Sequence, residues 1–182
     1  MPEKWKTLRS QLVFDHRWYK VRQDEIELPN GNIIDDYLLS VRPDVALVLP
    51  ITATEDIVMV RQYRHGANEV LLELPAGTFD PTDESAASAA ARELQEETGY
   101  TADTLIQLAT LYDNPVKQTS KIHLFLAPNA YPAGPQCLDA TEEIEILQVP
   151  TAAVIEKILH GEISVAGSLA AIFLGLKFLK KL

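Results

Sequence analysis

Gly77 to Tyr100 reads GTFDPTDESAASAAARELQEETGY, and this stretch decides the fold because it sets Glu93, Glu96 and Glu97 within one helical turn behind a glycine-containing turn. Positions three and four apart share a helix face, so Glu93 stands beside both Glu96 and Glu97. Two such carboxylates held ~4 Å apart repel by about 4 kcal/mol at an effective dielectric of ~20. A fold that builds this cluster has to neutralise it, and a hard divalent cation is the usual partner of all-oxygen ligands. The plain alternative is an exposed acidic helix face. The flanking residues weigh against it.

Gly77 is followed after six residues by Glu84, and after seven more by Arg92-Glu93-Leu94-Gln95-Glu96-Glu97-Thr98-Gly99-Tyr100. This resembles the Nudix box, G-x5-E-x7-R-E-U-x-E-E-x-G-U with U a bulky apolar residue. Every fixed position matches, with one extra residue in the turn between Gly77 and Glu84. The segment leading into it, VRQYRHGANEVLLELPAG, resembles the subfamily that hydrolyses ADP-ribose and related nucleoside diphosphate sugars. Weaker similarity runs over most of the chain.

Composition agrees with one domain carrying an appendage and a full core, as expected for 182 residues with 47% hydrophobic content. The one cysteine, Cys137, has no internal disulfide partner, which suits a reducing compartment. The opening MPEKWKTLRS carries no apolar signal segment, so a cytoplasmic location is expected. The most apolar run, Ala166 to Leu176, is too short to span a bilayer. A net charge of −10 argues against nucleic acid as a partner, because that binding rests on basic contacts to phosphate. The same charge opposes a phosphate-bearing substrate unless a cation bridges carboxylates and phosphate oxygens.

Along the chain, residues 1–41 read as an N-terminal β arm and 42–182 as the catalytic body. Within the arm, Tyr19 to Leu39 reads as a hairpin around Pro29-Asn30-Gly31-Asn32, Asn-Gly being a two-residue turn signal. Strands are expected from Asp44, from Ile57 and from Val70, then near Leu105–Tyr112, Ile122–Ala127 and Ile144–Val149. The main helix is expected from about Glu84 to Thr98, started by Asp80-Pro81 or Asp83 and ended by Gly99. Ala87, Ala90, Ala91 and Leu94 form its expected apolar stripe. Further helices are expected near Thr151–His160 and Ala166–Leu179. Hairpins mixed with helical connections predict an α+β fold, an α/β/α sandwich with a mixed sheet between helices. The Nudix resemblance implies the same architecture.

Glu93 and Glu97 are the first choice as metal ligands, with Glu96 in support; the resemblance implies this too and adds the carbonyl of Ala76. Glu84 is either a further ligand or a partner of Arg92. Mg2+ fits best, because it accepts carboxylates and water and clamps phosphate oxygens; Mn2+ is the alternative. The chemistry is attack of water on a phosphorus of a P–O–P linkage. Arg64 is the leading cation for the diphosphate, since a guanidinium matches paired phosphate oxygens. Arg61 is either a second such group or an inter-strand salt bridge, and His65 is a loop residue.

Many relatives carry a glutamate in the loop after the strand ending at Tyr112. Here Ser120 stands at that position. The loop Cys137–Glu143 offers Glu142, then Asp139, as a further ligand or the general base; the alternative is that Glu142 and Glu143 begin an exposed strand. Trp18 is a candidate for base stacking, worth about 1–3 kcal/mol, against a plain packing role. The resemblance implies a homodimer in which the arm crosses to a second subunit. ADP-ribose hydrolysis to AMP and ribose 5-phosphate is the leading function, another nucleotide sugar or dinucleotide diphosphate the next, and a non-catalytic nucleotide sensor a third. A calcium-binding structural protein fails for want of a D-x-D-x-D-G loop.

Overall fold

The computed structural model describes residues Met1–Leu182, which divide into two compact units. The first comprises Met1–Pro43 with Tyr112–Lys121. It is an antiparallel meander of β1 (Lys6–His16), β2 (Tyr19–Glu27) and β3 (Ile33–Val41). Strand β1 was not foreseen from the sequence, and each of its residues is exposed. His16 pairs with Tyr19, so Arg17 and Trp18 form the tip of the first hairpin.

The second hairpin corrects the two-residue turn expected at Asn30-Gly31. The Leu28 N–H donates to the Asn32 carbonyl at 2.8 Å, and the Gly31 N–H donates to the Leu28 carbonyl at 2.9 Å. Gly31 has φ +83°. The loop is therefore Pro29-Asn30-Gly31, with Pro29 starting the turn and glycine taking the left-handed position that closes it. The Tyr112–Lys121 segment runs beside β3. Its Lys117 carbonyl accepts from the Ser40 N–H at 2.8 Å, and its Thr119 N–H donates to the Ser40 carbonyl at 3.1 Å.

The second unit, Asp44–Leu111 with Ile122–Leu182, is built on an eight-stranded mixed sheet. Its strands are β4 (Asp44–Thr52), β5 (Asp56–Arg64), β6 (Glu69–Glu73), β7 (Ala76–Phe79), β8 (Tyr100–Thr101), β9 (Ile106–Tyr112), β10 (Lys121–Pro132) and β11 (Ile144–Pro150). The central order is β11-β5-β4-β10-β8, with β6 on β5, β7 on β4 and β9 on β10. The β4–β10 pair is parallel; β4–β5, β5–β6 and β5–β11 are antiparallel.

Helices cover both faces, as β4 shows residue by residue. Leu47, Leu49 and Ile51 join one core cluster with Val154 of α2 (Val154–Leu159) and with Ala171, Ile172 and Leu176 of α3 (Ala166–Phe178). Ala46 and Val48 join another with Ala89, Ala90 and Leu94 of α1 (Ala86–Thr98). Successive side chains of a strand point to opposite faces, so a run apolar throughout marks burial on both. The α+β architecture read from the sequence is the one observed. No helix is long and apolar enough to cross a membrane.

Two expectations for α1 are corrected. Its cap is Ser85, whose Oγ accepts from the Ser88 N–H at 3.1 Å, and not Asp80 or Asp83. Asp80 instead closes the preceding turn by accepting from the Thr82 N–H at 2.9 Å. The buried stripe is Ala89, Ala90 and Leu94, while Ala87 and Ala91 face solvent. The C-terminal boundary is as read: Gly99 has φ +69°, and its N–H donates to the Gln95 carbonyl at 2.8 Å.

Candidate active site

The carboxylates of α1 lie over the link from β6 to β7, and three hydrogen bonds pin that link. The Leu74 N–H donates to Ser168 Oγ of α3 at 2.9 Å, the Pro75 carbonyl accepts from the Val48 N–H at 3.0 Å, and the Ala76 N–H donates to Glu97 Oε2 at 3.0 Å. Helix and strand thus meet at Ala76–Gly77. A Cβ on Gly77 would overlap the carboxyl group of Glu93, so only glycine leaves Glu93 room there. The small residue that opens the sequence motif makes space for the first acid of α1.

Glu97 is 3% exposed and Glu93 9%. Glu97 is pushed up to about 8, chiefly by burial, with Glu93 and Glu142 adding to the rise and the Ala76 N–H and the charge of Arg64 opposing it. Glu93 is raised for the same first reason, with Arg92 opposing and Glu96 and Glu142 adding. Two acids held in this state form a site short of positive charge.

Arg92 supplies part of that charge. Its Nη2 donates to Glu84 at 2.7 Å, and its Nη1 to Glu93 at 2.6 Å and Glu96 at 3.0 Å. These three contacts, led by Glu84, raise the guanidinium's own pKa. Of the two roles open to Glu84, the structure shows the pairing with Arg92. No three His, Cys, Asp or Glu side chains are arrayed as a ready chelate. The set nevertheless fits a hard cation in kind: two buried carboxylates one turn apart, with Glu96 half-buried beside them.

The loop carrying Asp139 and Glu142 is tied to the end of α1. The Cys137 N–H donates to the Glu96 carbonyl at 2.9 Å, and Gln136 Nε2 donates to the Glu97 carbonyl at 2.7 Å. Asp139 and Glu142 bond reciprocally: the Asp139 N–H donates to Glu142 Oε2 at 2.9 Å, and the Glu142 N–H to the Asp139 carbonyl at 2.9 Å. The charge of Glu142 acts weakly on both Glu93 and Glu97. Cys137 is free and exposed.

Arg64 also belongs to this group, since its charge reaches Glu97. Its Nε donates to Glu73 Oε1 at 2.6 Å. Glu73 escaped the sequence reading, because nothing in LLELPAG distinguishes it from a strand-end glutamate on the surface. Arg61 is in the arrangement given above as its alternative, a cross-strand ion pair with Glu145 at 2.9 Å. His65 lies in the β5–β6 turn with Nδ1 3.1 Å from the Tyr63 hydroxyl. Trp18 belongs to the other unit, 71% exposed at its hairpin tip with Arg17 over its ring. Ser120, also in that unit, is buried with its hydroxyl 3.5 Å from Gln118 Oε1.

Comparison with known families places this geometry. Residues 41–163 match the NUDIX domain, and residues 5–37 match the nucleoside diphosphate sugar hydrolase N-terminal domain. The chain belongs to the Nudix family and is a Nudix hydrolase. It is 31% identical over 145 residues to an ADP-ribose pyrophosphatase of Bacillus subtilis (strain 168), covering 79% of this chain and 77% of that one. It is 30% identical over 171 residues to an ADP-ribose pyrophosphatase of Mycobacterium tuberculosis, covering 91% and 82%. A crystal structure of an ADP compounds hydrolase superposes with a TM-score of 0.86 at 27% identity, over 99% of this chain and 96% of that one.

Proposed function

We propose that this Nudix hydrolase acts on nucleotide diphosphate compounds, with ADP-ribose as substrate and AMP and ribose 5-phosphate as products. The observation that carries the reading is the buried Glu93–Glu97 pair, with Glu97 bonded to the Ala76 N–H at the β6–β7 link. The similarity to two ADP-ribose pyrophosphatases supports the substrate.

In this reading Glu93 and Glu97 hold a divalent cation, Mg2+ or Mn2+, with Glu96 and the Ala76 carbonyl adding oxygen ligands. Such an ion supplies charge neutralisation for the diphosphate and acidifies the attacking water. Arg64 holds the diphosphate oxygens through its terminal N–H groups. Glu142, or Asp139 beside it, takes the proton of the water. The water oxygen bonds to one phosphorus as the bridging P–O bond breaks, and the electron pair leaves with the departing phosphate. Ser120 brings no carboxylate, so the base has to come from a segment such as residues 137–143.

A second reading keeps the mechanism and changes the substrate to another nucleotide sugar or a dinucleotide diphosphate. The extra residue between Gly77 and Glu84 favours it, as does similarity to an enzyme named only for ADP compounds. The test is phosphate release, with phosphatase added, from ADP-ribose, several nucleotide sugars, diadenosine polyphosphates and NADH in Mg2+. ADP-ribose as the preferred substrate supports the first reading, and preference for any other diphosphate supports the second.

We also propose a cytoplasmic homodimer built through the arm, with Trp18 as a base-stacking residue. Strand β1 supports the dimer, because it presents Leu8, Leu12, Val13 and Phe14 to solvent along a sheet edge. A concentration-independent monomer mass in solution contradicts it.

A further inference from the structure

Arg64 and Glu69 lie directly opposite each other across the β5–β6 hairpin. A cross-strand ion pair made for hairpin stability would join those two. The guanidinium instead goes to Glu73, four residues further along β6 and on the same strand face. The two acids differ in surroundings: Glu69 is exposed, whereas Glu73 is 5% exposed at the head of the pinned link to Ala76. A buried carboxylate has lost its water and needs a partner, so it draws the long arginine side chain along the strand. Arg64 is thereby held at the end of β6 that leads into the link to Ala76, within electrostatic reach of Glu97.

The contact also leaves the guanidinium a free working end. Only Nε bonds Glu73, and the side chain of Arg64 stays 43% exposed while that of Glu73 is 7% exposed. The terminal N–H groups remain available to a ligand with paired anionic oxygens. A side chain already fixed at one end loses less freedom when it binds such a ligand.

We propose that Glu73 is a positioning residue for the diphosphate: it orders the Arg64 guanidinium for the substrate without touching the substrate itself. This rests on the role given to Arg64 above. The test is a double-mutant cycle on ADP-ribose turnover with Glu73→Gln, Arg64→Gln and both, with Glu73→Asp as the charge-conserving variant. Folding of each is followed by circular dichroism and thermal melting.

Because the contact serves binding in ground and transition states alike, Glu73→Gln is expected to raise KM about tenfold with kcat nearly unchanged. Glu73→Asp should fall between it and wild type, and adding Glu73→Gln to Arg64→Gln should change little more. If Glu73→Gln fails to fold, the same cycle is read with Glu73→Asp. An Arg64→Gln enzyme with raised KM beside a Glu73→Gln enzyme with wild-type KM overturns the positioning role while leaving Arg64 its own. Equal effects of Glu73→Gln with and without Arg64 overturn it as well. Wild-type KM in Arg64→Gln overturns the Arg64 role, and the positioning role with it.

Discussion

Gly77 shows how much of this site hangs on a missing side chain. Its absent Cβ is the space in which the Glu93 carboxyl sits. Gly77→Ala therefore has to push Glu93 aside, while the rest of α1 keeps its cap and its buried stripe. Displacing a residue around a metal ligand costs about 10–100-fold in metal affinity or activity. We expect a loss of that size in turnover, with an unchanged circular dichroism spectrum; full activity contradicts the placement of Glu93. The acids themselves were legible in the sequence, because their three- and four-residue spacing alone puts them on one helix face. Glu73 was not, since its meaning lies in a hydrogen bond to Arg64 across nine positions of chain. Glu142 could be named as an acid, but only folding brings its charge to Glu93 and Glu97.

At the scale of elements, α1 and β4 show what pattern reveals. The run VALVLPI was readable as a strand, and the structure shows that it is apolar throughout because helices cover both sheet faces. Strand β1 was not: KTLRSQLVFDH is exposed on both faces, so no burial imposes an alternation on it. Strand β7 is AGTF, a strand held by its pairing with β4 and not by propensity. Helix α1 is capped by Ser85, while Asp80, one of the two starts the sequence offered, closes the preceding turn. Helix α3 comes so near β4 at Gly175 that a Cβ there would overlap the Leu49 side chain. Gly175→Ala should accordingly cost about 1–3 kcal/mol, as overpacking of a dense core does. Denaturant unfolding measures it, and unchanged stability rules out that close approach.

For the whole molecule, the acids of the site tie stability to pH and, in the proposed mechanism, to metal. Glu97 sits at about 8 in the fold against an ordinary 4.5, so the native protein keeps a proton that the unfolded chain releases. Stability from that group is fully present below pH 4.5 and is lost as pH rises through about 8. Glu93, raised as well, acts in the same direction. In chelator, the melting temperature should fall between pH 5 and 8, less steeply for Glu97→Gln. Added Mg2+ should raise the wild-type melting temperature more at pH 8 than at pH 5, because binding requires the ionised acid. Parallel melting curves for wild type and Glu97→Gln across this range, with no response to Mg2+, contradict the assignment.

The central claim is that the Glu93–Glu97 pair drives hydrolysis of a diphosphate through a bound cation. Its most direct test is the initial rate of AMP formation from ADP-ribose by wild type and Glu97→Gln, each with Mg2+ and with chelator. The account predicts turnover only for wild type with Mg2+, with ribose 5-phosphate formed in equal amount. Equal rates for wild type and Glu97→Gln, or a wild-type rate indifferent to chelator, would contradict it.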